Sequence, residues 1–187
     1  MKFLIVSGNP KDTGLCRAIT DSVAAGARDG GAEVVEINVN NMPRCKVCGG
    51  GWGTCRDRKC AFGADGFDEA RAQVQDADAI AFVSPVYWQD LAEGMKCFLD
   101  RLRRCDRAMG EGTASLANKP VIIVASAGGS GRGTIQCLEN LERFCGHTGA
   151  PVFDAISQNR WNSDYKQAAA YAAAKALASG RKHGDTL

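Results

Sequence analysis

The densest chemistry in this chain lies in one short loop, CKVCGGGWGTCRDRKC, residues 45–60, which holds four cysteines. Cys45 and Cys48 have the two-residue spacing that lets a pair of thiolates grip one metal centre, and Cys55 and Cys60 complete a set of four. Gly49, Gly50, Gly51 and Gly53 let such a segment wrap closely, while Arg56, Arg58 and Lys59 offset thiolate charge. Three readings stay open on these residues: a 4Fe-4S cluster exchanging single electrons, a structural zinc, or free or disulfide-forming thiols.

The rest of the chain narrows the setting. Nine cysteines is an odd count. The opening MKFLIVSGNP has too short an apolar run for a secretory leader and reads as a strand. A cytoplasmic location is therefore expected, where clustered thiols more often bind metal or do redox chemistry than form disulfides. The other cysteines, Cys16, Cys97, Cys105, Cys137 and Cys145, fall in helical segments and read as small buried apolar residues. His147 sits near a helix end as a dipole partner, and His183 lies in the tail. Asp100 and Arg101 read as helix-surface residues that form ion pairs.

Three further stretches carry binding chemistry. SGNPKDTG, Ser7 to Gly14, ends in a helix start whose free N–H groups suit an anion, with Lys11 adding charge. It lacks the glycine spacing of a dinucleotide fingerprint and of a nucleoside-triphosphate loop, which leaves a phosphate monoester. SPVYWQD, Ser84 to Asp90, offers the rings of Tyr87 and Trp88, with Pro85 holding the chain extended. SAGGSGRGT, Ser126 to Thr134, has four glycines that allow close backbone approach to a ligand.

Their positions follow from the elements around them. Apolar runs without alternation, at 3–7, 32–37, 79–84, 120–126 and 152–156, predict strands buried on both faces. Helical spacing predicts helices at 15–28, 91–104, 135–144 and 164–178, with a short one at 67–75. The third of these rests its apolar face on Ile135, Leu138, Leu141 and Phe144. Alternating strands and helices define a doubly wound α/β sheet. The 187 residues suit a single domain, with residues 38–66 as an insertion and 180–187 as a mobile tail. A net charge of +2 with interspersed signs gives no case for nucleic acid, and no apolar run is long enough for a bilayer. In such a sheet the loops after the strands meet at one edge. Phosphate contacts, aromatic rings and bare amides together describe a flavin mononucleotide (FMN) site.

On GNPK, SPVYW, AGGSG, the cysteine loop and MKCFLDRL (residues 95–102), the chain resembles the flavodoxin-like NAD(P)H-dependent FMN reductase family, iron–sulfur flavoprotein branch, to about residue 160. The resemblance implies a five-stranded parallel sheet in the order 2-1-3-4-5. It implies FMN held by Ser7, Asn9, Lys11, Thr13 and Gly14 at its phosphate, by Pro85, Val86, Tyr87 and Trp88 beside the ring, and by Ala127, Gly128, Gly129 and Ser130. It also implies NAD(P)H as donor and assembly as a homodimer or homotetramer. The chain departs from its relatives at Leu15 and Cys16, where they have Asn-Thr, and at Gly51, where iron–sulfur relatives have a third cysteine.

Hydride transfer between nicotinamide and flavin is mostly a matter of positioning, so no catalytic side chain is expected. The acceptor would be a quinone, a flavin, a metal ion or a protein. Two other classes remain: an electron carrier reduced by a ferredoxin-like partner, and a zinc-stabilised protein without enzymatic activity.

Overall fold

The computed structural model describes residues 1–46, 48, 49, 53–57, 60–107 and 115–181. Gly50, Gly51, Trp52, Arg58, Lys59, His183 and most of the tail lie outside the described residues, and with them the readings that rested there.

The elements run β1 (Lys2–Ser7), α1 (Leu15–Asp29), β2 (Glu33–Asn38), α2 (Phe67–Asp76), β3 (Ala79–Tyr87), β4 (Asp90–Leu91), α3 (Glu93–Arg107), β5 (Val121–Ala127), α4 (Thr134–Thr148), β6 (Val152–Asn159) and α5 (Ser163–Ala178). Parallel pairing gives the order β2-β1-β3-β5-β6, the doubly wound topology expected from the alternation. The addition is β4, two residues that pair antiparallel with the end of β3 through Val86–Leu91 and Tyr87–Asp90. It takes Leu91 out of α3, which starts at Glu93.

The central strands β1, β3 and β5 are buried almost throughout, because helices cover both faces. One layer packs Phe67, Phe98, Leu102 and Leu141 against Leu4, Phe82 and Ile123. The other packs Ile19, Val23, Ala170 and Leu177 against Phe3, Ile5 and Val124. Gly26 permits this second packing, since a Cβ there would run into the backbone of Tyr171. The edge strands differ from expectation: β2 and β6 are only partly buried, because each has one neighbour in the sheet. Ile135 is exposed, and Cys137 occupies the inward position beside Leu138 and Leu141. Cys16, Cys105, Cys137 and Cys145 are buried as expected, whereas Cys97 is only half-buried.

Between Val39 and Gly66 the described residues include short 3-10 turns at Gly53–Asp57 and Gly63–Asp65. Among the described residues no helix is long and apolar enough to cross a membrane.

Candidate flavin and thiol sites

The three loops come together at the carboxyl edge of the sheet. In the first, Ser7, Gly8 and Asn9 are buried while Lys11, Thr13 and Gly14 are exposed. Asn9 folds the loop on itself: its amide nitrogen donates to the Lys11 carbonyl, and its backbone N–H donates to Ser7 Oγ at 3.3 Å. Asn38 at the end of β2 clamps the same turn by donating to the Asn9 carbonyl at 2.8 Å. Gly14 precedes α1 at φ 90°, a backbone state that a glycine enters without strain, and α1 has no side-chain cap. An exposed helix start without a side-chain cap is a setting in which an anion can bind.

The second loop is a two-residue hairpin between β3 and β4. Trp88 and Gln89 both have positive φ, 49° and 67°, the pair of left-handed residues that a type I′ turn requires. Neither is a residue that adopts this state cheaply, so the hairpin is held from outside. Asn140 donates to Asp90 Oδ1 at 2.8 Å, and the Ala92 N–H donates to the buried Ser84 hydroxyl at 3.1 Å. Gly133 makes the third support, because a Cβ there would stand 2.6 Å from Gln89 Cα. The hairpin thereby carries the Trp88 ring to full exposure, 100%, and Tyr87 to 44%.

The third loop faces the hairpin across a cleft of about 310 Å³ lined by Val86, Trp88, Gln89 and the segment 127–132. Ala127 is buried beneath, and Gly128, Gly129 and Ser130 are exposed. Side chains added at Gly128 or Gly129 would meet nothing within 4 Å, so both peptides front open space. Tyr87 and the first loop stand outside this cleft, though Gly8 lies against Pro85. A larger cavity, about 430 Å³, opens between β2 and α2, lined by Asn38, Asn41 and Met42 at the end of β2 and by Asp65, Glu69 and Gln73.

Sequence reasoning missed Gln158, which is wholly buried at the end of β6. Its amide nitrogen donates to the Leu15 carbonyl at 2.9 Å and to Ser126 Oγ at 3.1 Å, joining the helix start of the first loop to the root of the third. Its Oε1 has no partner among the described residues. The residues fit FMN on these observations: an uncapped helix start, an open cleft fronted by bare peptides, and an unsatisfied buried acceptor where two loops join.

The thiol segment packs against α3. Cys45 is exposed, Cys48 and Cys60 are half-buried, and Cys55 is buried. Arg101 departs most from the sequence reading. It is 3% exposed and turns into the cysteine segment, whereas Asp100 stays outside and pairs with Lys96. Arg101 Nη2 donates to Cys60 Sγ at 3.4 Å, and Arg104 donates to Cys45 Sγ at 3.6 Å. Burial pushes the Cys55 and Cys105 thiols up, Cys105 to about 12. Among the described residues no three of His, Cys, Asp or Glu are grouped as a metal cage. The donor set suits a thiolate-bound centre in ligand type and in compensating charge, with the sulfurs set apart.

Residues 1–178 match the family described as NADPH-dependent FMN reductase, and the chain belongs to that family. An iron–sulfur flavoprotein of Archaeoglobus fulgidus is 28% identical over 102 residues, covering 54% of this chain and 46% of that protein. The chain thus spans about half the length of this curated relative. Among solved structures, a flavone reductase superposes with a TM-score of 0.67 at 20% identity, over 95% of this chain and 62% of that one. A flavodoxin from the domain Archaea superposes at 0.62 with 14% identity, over 95% and 96%. These likenesses establish a flavodoxin-like fold.

Proposed function

We propose that this chain is an NAD(P)H-dependent flavin oxidoreductase that passes electrons through FMN to a small-molecule or protein acceptor. The observation that carries this reading is the convergence of an uncapped helix start, an exposed aromatic hairpin and two open glycine peptides at one sheet edge of a chain in the FMN reductase family.

FMN, when bound, supplies a carrier that accepts a hydride and releases electrons singly or in pairs. The chain's part is placement. Free N–H groups at the start of α1, together with Asn9, Lys11, Thr13 and Gly14, hold the phosphate, and Ser7 fixes the turn. Val86 and Trp88, which line the cleft, would border the ring, with Pro85 and Tyr87 beside them in β3, while Gly128, Gly129 and Ser130 would offer peptide N–H groups and Ala127 would seat them.

Cys45, Cys48, Cys55 and Cys60 are the residues that would hold a 4Fe-4S cluster, which supplies a one-electron relay when bound. Four thiols within one segment and two arginines aimed at them support this reading, as does the name of the archaeal relative. Assembly as a homodimer or homotetramer would cover the exposed rings of Trp88 and Trp161.

The test is anaerobic mixing of the FMN-loaded protein with NADH and with NADPH. Bleaching of the flavin absorbance by either supports the enzyme. Reduction only by a reduced ferredoxin points to an electron carrier, and metal analysis distinguishes iron and sulfide from zinc.

A further inference from the structure

We propose that the turn after β6 seats the 2′-phosphoadenosine end of NADPH, with Arg160 taking the phosphate and Trp161 the base, so that Arg160 sets a preference for NADPH over NADH. The inference rests on reading the chain as an NAD(P)H-dependent oxidoreductase.

The turn is braced so that it presents an aromatic ring to solvent. The Trp161 N–H donates to Asn159 Oδ1 at 2.9 Å, and the Asn159 N–H donates to Asn162 Oδ1 at 2.7 Å. The Trp161 ring is nevertheless 62% exposed. Its edge rests against the glycine loop, since a Cβ at Gly131 would stand 3.0 Å from Trp161 Cζ3. Gly131 and Arg132 both line the cleft assigned to the flavin ring, so this turn borders the cleft. The loop meets the Gln89 hairpin at Gly133 and the Trp161 turn at Gly131, and thus stands between two exposed indoles.

The charge at this rim is positive and uncompensated. The Arg160 guanidinium carbon lies 4.5 Å from the centre of the Trp161 ring, and Arg132 is exposed in the cleft wall. Neither arginine has an ion-pair partner among the described residues. A cleft of about 310 Å³ does not hold a flavin and a whole dinucleotide together, so a nicotinamide stacked on the ring leaves its adenosine half on the rim. That half is a flat base bearing phosphates, and NADPH differs from NADH by one more phosphate on the adenosine ribose. An exposed indole suits the base through stacking. A guanidinium stacked by its flat face keeps its edge donors for a phosphate, which an ammonium cannot do in the same fixed geometry. Arg132, beside Gly131, suits the diphosphate. Assembly over this rim would enclose the same group, so the protein is tested in its own assembled state.

The experiment titrates FMN-loaded wild type, Arg160→Gln, Arg160→Lys and Trp161→Leu with adenosine 2′,5′-bisphosphate and with adenosine 5′-monophosphate by calorimetry. Wild type should bind the bisphosphate roughly 10–100-fold tighter than the monophosphate, as expected for hydrogen bonds to a charged group. Arg160→Gln should erase that preference, and Arg160→Lys should keep part of it. Trp161→Leu should weaken both probes by roughly tenfold and leave their ratio unchanged. The ratio of kcat/KM for NADPH over NADH should follow the same order, and it is insensitive to a change that slows both coenzymes alike. Equal affinity of wild type for the two probes, no binding of either, or an Arg160→Gln that keeps the full preference overturns the proposal. Should neither coenzyme reduce the flavin, the oxidoreductase reading fails by itself. The titration then judges the seat: a bisphosphate preference that depends on Arg160 sustains it, and its absence overturns it.

Discussion

Arg101 and Asp65 meet through two hydrogen bonds of 3.0 Å each, with the arginine side chain 2% exposed and the aspartate 26%. The pair joins the middle of α3 to the turn before α2. Burial raises the Asp65 carboxyl, and the hydrogen bonds and charge of Arg101 outweigh it, leaving Asp65 below its usual value of 3.8. A depressed carboxylate contributes stability that is present above the unfolded pKa and lost as pH falls through the folded one. Asp65→Asn should therefore cost about 1.5–3 kcal/mol at neutral pH, the worth of hydrogen bonds to a charged group. The difference from wild type should shrink as pH drops below 3.8. Urea unfolding at neutral and acid pH measures both.

The hairpin turn stores strain at Gln89, with φ 67°. Glycine is the residue that a type I′ turn favours at this second position. Gln89→Gly should raise stability by about 0.4–1 kcal/mol, read as a higher thermal midpoint. The reverse change at its support, Gly133→Ala, adds a Cβ 2.6 Å from Gln89 Cα at a residue with φ 83°. It should destabilise by about 1–2 kcal/mol and weaken FMN binding by displacing the Trp88 hairpin.

Gln158 connects the first and third loops across the sheet edge. Gln158→Leu fills similar volume but leaves the Leu15 carbonyl and Ser126 hydroxyl without this donor. FMN affinity should fall about 5–150-fold, matching about 1–3 kcal/mol for buried partners left unsatisfied. Isothermal titration with FMN reads the change.

Burial pushes the thiols of Cys16, Cys137 and Cys145 up to about 12. At pH 8 the native protein should leave these three unmodified by iodoacetamide, and denaturant should expose them. Mass spectrometry of digests after short exposure provides the measurement.

Much of this was legible before any coordinates. The runs over Ile5, Phe82 and Val124 are apolar without alternation because helices cover both sides of β1, β3 and β5, so sequence and burial agree. The same logic overreached at β2 and β6, since an apolar run does not say whether a strand has one neighbour or two. β4 was hidden because its turn, Trp88-Gln89, carries none of the Asn-Gly chemistry that announces a hairpin. The loop glycines and aromatics were readable from position after a strand. Gln158 was not, because its partner Leu15 is 143 residues away. Arg101 forms the ion pair expected of it, with Asp65, but was misread as a surface residue for a related reason: spacing along α3 gives a helix face but not what covers it, and here the cover is the cysteine segment.

The most direct measurement of the central claim is a titration of the purified apoprotein with FMN and, separately, with riboflavin. If the loop from Ser7 to Gly14 holds a phosphate while the hairpin and glycine peptides hold the ring, FMN binds saturably at one per chain and at least about tenfold tighter than riboflavin, a difference of about 1.4 kcal/mol. No saturable binding of FMN, or equal affinity for the two, would contradict the account.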